Sequence, residues 1–354
     1  HIMFEECSIK KGDKIALLGK NSGNWAMTYL GIITFGAVVV PILPDFHPNE
    51  IHHIVNHSDS VALFIAQDMW NKVDESEMPN LRAIISLTDN SVLIQADKEK
   101  VKDKLSQLDI LYEKKYAGEI TPEQINFPEI TNDKLVAINY TSGSTGFSKG
   151  VMLSANSLAA NIRYAWNNMR LDPGDKIVSI LPLSHTFGCT FDFLWPFSRG
   201  TNVHFLTRMP TPKILLDAYQ DIKPHLILSV PLIIEKIYKK QILPKISKQP
   251  LKSIIKVPVL NSLIYNKIKK SLTNAFGGNF REIVLGGAPL NNEVDEFFRK
   301  MKFNYTIGYG MTECGPLISY SNWHITKPAS SVSYTHLRAH ETVLDLVCRL
   351  LLEK

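Results

Sequence analysis

The chain has 354 residues, of which 45% are hydrophobic and 21% charged, with 19 Gly and 19 Pro; these values exclude a short peptide module and a disordered or collagenous chain, and predict two or three packed subdomains. A net charge of +5 falls short of the concentrated basic field of a dedicated nucleic-acid binder, so no nucleic-acid partner is expected. Cys7, Cys189, Cys314 and Cys348 stand far apart with no CxxC pair, which excludes a disulfide framework or zinc knuckle and fits a reducing cytoplasm.

Residues 14–18 read as a strand entering a turn, followed by an apolar helix over 25–36 and a strand over 37–42. The run from 21 to 44 carries no charge and invites a membrane span. Asn24, Thr28, Gly31, Thr34, Gly36 and Pro41 interrupt it, and a helix packed on a sheet followed by a buried strand explains it better. A helix over 49–57 and strands over 61–66 and 83–87 continue an α/β alternation. Residues 93–120 are charged and read as helix, 121–131 as a proline-containing connector, and 135–140 as a strand. A boundary near 130 then separates an N-terminally incomplete first αβ subdomain, 1–130, from a second, 131–330, that bears the candidate site.

The second series places helices over 154–168, 187–197 and 211–222, and strands over 176–180, 202–205 and 226–229. Between 236 and 270 lie ten lysines (236, 239, 240, 245, 248, 252, 256, 267, 269, 270) and no Asp or Glu. This stretch reads as a solvated amphipathic insertion, or more sharply as a surface resting on anionic lipid at the inner face of a membrane. A strand over 282–285, a turn at 286–289, a helix over 292–301 and a strand over 304–307 follow. Residues 331–354 form one isolated amphipathic pattern, resemble translated adaptor or vector sequence, and are excluded as a non-native tail.

Four segments carry chemistry. YTSGSTGFSKGV at 140–151 is expected to link a strand to a helix, where backbone N–H groups, hydroxyls and Lys149 can face a polyphosphate. It is not a Walker A loop, since Gly150 rather than Ser or Thr follows Lys149. GYGMTECGP at 308–316 offers Tyr309 to stack on a purine and Glu313 as a hard ligand for Mg²⁺. LGGAPL at 285–290 brings backbone close to a flat ligand. LPLSHTFGCT at 181–190 sets His185 among apolar neighbours, where a histidine is more often a core residue than a catalytic one.

In this order and spacing the four segments resemble the adenylate-forming superfamily of acyl-CoA synthetases, nonribosomal adenylation domains and luciferases, over residues 15–330. The stretch GIITFGAVVVPILPDFHPNEIHHIVNHS is similar to that family's second core motif, which explains His47, His52, His53 and His57 without a metal. The resemblance implies a large N-terminal domain built of two αβ subdomains of layered sheets with flanking helices. It further implies that Thr141, Ser142, Gly143, Ser144, Thr145, Gly146 and Lys149 hold the ATP β- and γ-phosphates, and that Gly286, Gly287 and Ala288 line the adenine and acyl sites. Tyr309, between Gly308 and Gly310, would stack on adenine, Thr312 would contact the α-phosphate, and Glu313 with Thr141 would ligate Mg²⁺. His185 would gate access of the carboxylate to the acyl tunnel. SVPLIIEKIYKK at 229–240 with its basic continuation looks like the long-chain fatty acyl-CoA synthetases.

The implied reaction activates a fatty acid with ATP to acyl-AMP and transfers the acyl group to CoA. Adenylation of an amino or aryl acid for a carrier protein, and a non-catalytic nucleotide-binding fragment, are the alternatives. Ser148 stands where the family usually has Pro, and Ile307 where many members have a polar side chain. The family's ribose-binding Asp, hinge and small C-terminal domain with its late Lys have no match, so slow or absent turnover is expected of this chain alone.

Overall fold

The computed structural model describes residues 1–95, 107–116, 118, 120, 121, 124, 127–141, 148–247 and 258–326. The expected tail at 331–354 and residues 142–147 of the phosphate-loop segment lie outside the described residues. The described chain forms two compact units, one from 1–162 with 182–193, the other from 163–181 and 194 onward.

The first unit is built on a seven-stranded sheet of order β5-β4-β3-β1-β2-β6-β7. Its inner strands β1 (Lys14–Leu18), β2 (Val38–Ile42), β3 (Ser60–Ile65) and β4 (Ala83–Ser86) pair in parallel. They read as nearly unbroken apolar runs because helices leave neither face to water. Ile15, Leu17 and Leu18 are fully buried, each contributing roughly 1.5–3 kcal/mol of hydrophobic stabilisation. Pro41 is tolerated inside β2 because the ladder to β6 (Leu135–Thr141) is limited to Val39↔Ala137, so the missing donor interrupts little. The helix Gly23–Phe35 starts where the Ser22 hydroxyl accepts the Trp25 N–H at 3.1 Å, a polar side-chain cap of the usual kind.

Two expectations change in this unit. At the start of the charged stretch 93–120, residues Val92–Gln95 form β5, an antiparallel edge strand on β4, and among the described residues of the stretch Leu108–Lys115 is helical. Residues Lys149–Ser154 form β7, antiparallel to β6, so the phosphate-loop segment joins two strands of a hairpin before the helix Ala155–Asn168 begins. Because β6 and β7 extend the large sheet, the first compact unit runs to residue 162 and takes in 182–193.

The second unit has short sheets. β8 (Lys176–Ser179) pairs in parallel with β9 (Asn202–Phe205), and β10 (Ile227–Ser229), β11 (Ile283–Leu285) and β12 (Tyr305–Ile307) form a three-stranded parallel sheet. An aromatic cluster packs beneath, with Phe298 and Phe303 ring centres 5.0 Å apart and Phe298 and Tyr305 at 5.3 Å. The basic stretch is helical over Pro231–Ile237, Leu243–Ile246 and Pro258–Ala275. Among the described residues, no helix is long and apolar enough to cross a membrane.

Candidate active site

In the second unit the candidate residues follow directly on the C-terminal ends of parallel strands, where open α/β sheets bind ligands. Gly286 follows β11 and donates its N–H to the Ser229 carbonyl at 3.1 Å; Gly308 follows β12 and donates to the Leu285 carbonyl at 2.7 Å. These two bonds set the turns side by side. Between them opens a cavity of about 450 Å³ lined by Gly287, Ala288, Pro289, Leu290, Asn292, Asp295, Ile307, Gly308, Tyr309 and Gly310. Gly287 has φ +86, and the nearest atom to a Cβ there is 3.9 Å away, so the lack of a side chain leaves a cradle for a flat group.

Tyr309 opens β13 (Tyr309–Gly310), which pairs antiparallel with β14 (Leu317–Ser319). Tyr309 is 52% exposed, a setting in which an aromatic side chain can stack on a base. Gly310 cannot be replaced without rearrangement, since an added Cβ would strike the Pro316 carbonyl. The 3₁₀ turn Thr312–Cys314 lies between the two strands; Thr312 is buried and Glu313 exposed. An exposed carboxylate is a hard oxygen donor of the kind Mg²⁺ takes.

The hairpin is held from behind by buried polar contacts. The Tyr320 hydroxyl donates to Glu282, the Thr306 hydroxyl donates to the Ser321 carbonyl at 2.5 Å, and the Tyr164 hydroxyl donates to the Tyr320 carbonyl at 3.1 Å. Burial raises the Glu282 pKa above its ordinary value despite the Tyr320 hydrogen bond. Asp295 is also buried, accepting from Arg299 Nε at 2.8 Å and from the Tyr305 hydroxyl at 2.5 Å.

In the first unit Thr141 ends β6 directly opposite Lys149 at the start of β7. Thr141 is partly exposed and Lys149 exposed. Ser142, Gly143, Ser144, Thr145 and Gly146 lie outside the described residues. The Ser148 hydroxyl is buried and finds no partner among the described residues. Asn139 on β6 donates to the Ser184 carbonyl at 3.0 Å, tying the strand to the residue before His185.

His185 caps the short helix Thr186–Cys189, its Nδ1 accepting the Phe187 N–H at 3.2 Å. Its residue surface is more than a third exposed. The ring is nonetheless desolvated by the chain around it, which lowers its pKa below the ordinary 6.5, so at neutral pH it is an uncharged imidazole with Nε2–H free to donate. Nearby, burial pushes the Cys189 thiol up to about 12, making it inert.

A family model described as AMP-binding enzyme matches residues 3–343. The chain belongs to the AMP-binding enzyme family. Similar relatives are the long-chain-fatty-acid–CoA ligase 4 of Saccharomyces cerevisiae, 28% identical over 85% of this chain and 48% of its own length, and the long-chain-fatty-acid–CoA ligase of Salmonella typhimurium, 26% identical over 92% and 55%. Among solved structures, the anthranilate CoA ligase AuaEII in complex with anthranoyl-AMP superposes with TM-score 0.68 at 16% identity over 93% of this chain and 55% of its own. ATP-bound MatB from Rhodopseudomonas palustris gives 0.66 at 20% identity, over 94% and 56%. These likenesses show the fold expected of an adenylate-forming N-terminal domain. This AMP-binding family chain spans about half the length of the relatives it matches.

Reading by sequence singled out Gly287, Ala288, Gly308, Tyr309 and Gly310, which the fold brings to one cavity, but passed over Asn292 and Asp295 as lining residues. Asn292 and Asp295 open the helix Asn292–Lys300, capped by Asn291, whose side chain accepts the Glu293 N–H. A helix start directly after LGGAPL was the available signal.

Proposed function

We propose that this chain is the nucleotide- and acyl-binding part of an AMP-forming acyl-CoA ligase that activates a medium or long fatty acid. The cavity at the ends of β11 and β12, walled by glycine backbone and the half-exposed Tyr309, carries this reading. In it Tyr309 stacks on adenine, Gly286, Gly287 and Ala288 let the base and acid approach the backbone, and Thr312 contacts the α-phosphate. In the second unit Glu313 offers a hard oxygen donor of the kind Mg²⁺ takes, and in the first unit Thr141, Lys149 and the hydroxyls and N–H groups of 141–146 offer donors for the β- and γ-phosphates. Bound Mg²⁺ offsets charge accumulating on the departing pyrophosphate. Neutral His185 presents an N–H to the carboxylate rather than a competing charge. No protein nucleophile is needed, because the substrate carboxylate attacks the α-phosphate and the CoA thiol later attacks the anhydride.

Two measurements test this. Tyr309→Ala should weaken ATP binding by about 1–3 kcal/mol with little change in thermal midpoint, since Tyr309 is half exposed; equal affinity for ATP would refute the stacking role. ATP–pyrophosphate exchange, or binding of non-hydrolysable acyl-adenylate mimics, over fatty, aryl and amino acids should favour the fatty series; preference for aryl or amino acids would select the carrier-protein alternative.

A cytoplasmic location with peripheral contact to anionic lipid is a separate part of the proposal. Exposed Leu232 shares the helix Pro231–Ile237 with exposed Lys236, the next helical turn Tyr238–Ile242 carries exposed Lys239 and Lys240, and exposed Leu263 shares Pro258–Ala275 with exposed Lys267 and Lys270. Binding to phosphatidylglycerol vesicles should fall with salt and on neutralising those five lysines. Equal binding to neutral vesicles would remove this part.

A further inference from the structure

The hairpin of β6 and β7 carries a glycine at a position where a strand gains little by itself. Gly150 lies in β7, at the edge of the seven-stranded sheet among the described residues, and pairs directly with Tyr140 on β6. An added Cβ at Gly150 would stand 3.0 Å from Ile138 Cγ2 and 3.1 Å from Tyr140 Cζ, so those two side chains already occupy the space that a side chain there would take. Glycine in an edge strand leaves the register loosely specified, and an aromatic ring laid across it from the neighbouring strand supplies the missing contact.

We propose that Tyr140, held by His57, is a positioning residue that sets the register at which the hairpin presents Thr141 and Lys149 to the β- and γ-phosphates of ATP. This rests on the reading of 141–149 as the phosphate loop. Tyr140 is buried in one apolar cluster with Ile138 and with Ile51, Ile54 and Val55 of the helix Pro48–His57. His57 closes that helix, and its Nδ1 lies 2.7 Å from the Tyr140 hydroxyl, a hydrogen bond in which either atom can donate. The two rings meet edge-on at 83° with centres 5.8 Å apart. Burial pushes the Tyr140 phenol up to about 12, so at neutral pH it stays a hydroxyl and keeps this bond without carrying a charge.

To leave Gly150, the Tyr140 ring would have to give up both the His57 bond and its packing. Thr141↔Lys149 is the pair next to Tyr140↔Gly150, so a one-residue slip at the glycine would move Lys149 off Thr141 and turn it to the other face of the sheet. Tyr140 acts through those two residues and needs no contact of its own with the nucleotide.

Calorimetric titration of the full chain with ATP and with AMP, each in the presence of Mg²⁺, tests the proposal, because AMP has neither the β- nor the γ-phosphate. His57→Ala removes an exposed side chain, and Tyr140→Phe keeps the ring on Gly150. Each should weaken ATP binding about 10-fold, the equivalent of one hydrogen bond to a charged group, with AMP affinity and circular dichroism unchanged. The double variant should lose no more than either single one, since both break the same bond. His57→Asn, which keeps a polar atom near the position of Nδ1, should restore most of the ATP affinity. Wild-type ATP affinity in both single variants, or an equal loss for ATP and AMP, would overturn the positioning role while leaving the phosphate-loop reading in place. A wild type that binds ATP no more tightly than AMP would overturn both.

Discussion

The two units solve the same packing problem by different means. In the first, a seven-stranded sheet buries four parallel strands of four to six residues between helices, and apolar contacts dominate. In the second, β10, β11 and β12 have three residues each, and buried polar pairs such as Glu282 with Tyr320 and Asp295 with Arg299 hold the loops that line the cavity. Short strands expose more turn per residue, which suits ligand binding, but they transfer the task of holding those turns to hydrogen bonds that must all be satisfied.

The largest expected effect breaks the apolar unit. Trp25 is fully buried and stacked on Tyr29 with ring centres 5.3 Å apart, so Trp25→Ala should cost about 3–5 kcal/mol, read as a lower urea midpoint. Gly310→Ala attacks the polar unit instead. Its Cβ would strike the Pro316 carbonyl and splay β13 from β14, and overpacking of this kind typically costs about 1–3 kcal/mol. Because that hairpin bears Tyr309, ATP affinity should drop about 10-fold alongside the loss of stability.

A smaller change sharpens the contrast by stabilising the polar unit. Glu282 is 3% exposed, and its Oε2 has no partner among the described residues. Its folded pKa lies above the ordinary 4.5, so the fold disfavours the ionised form and stability is lost as pH rises through the folded pKa. Glu282→Gln should therefore add about 1 kcal/mol of stability at pH 7.5, read as a higher thermal midpoint, with the gain closing as pH falls toward 4.5. A gain that persists at low pH would contradict this sign. At the bottom of the scale, Lys20 and Asp68 pair at 2.7 Å with side chains 57% and 54% exposed. Solvent screens such a pair, so Lys20→Ala should shift the urea midpoint by less than the equivalent of about 0.5 kcal/mol.

Local pattern sufficed for much of this. Apolar runs such as Val38–Ile42 and the four chemistry-bearing segments specified the α/β class, most helices and strands, and the candidate residues of the cavity, because period and glycine content act over a few neighbours. Three features needed the tertiary structure. Val92–Gln95 and Lys149–Ser154 became strands because β4 and β6 offered open edges, and edge pairing is a non-local gain that residue pattern does not encode. His185 proved exposed yet desolvated, since the chain around its ring sets its environment. Asn292 and Asp295 joined the cavity only because the turns after β11 and β12 meet there, a convergence created by strand order rather than by sequence spacing.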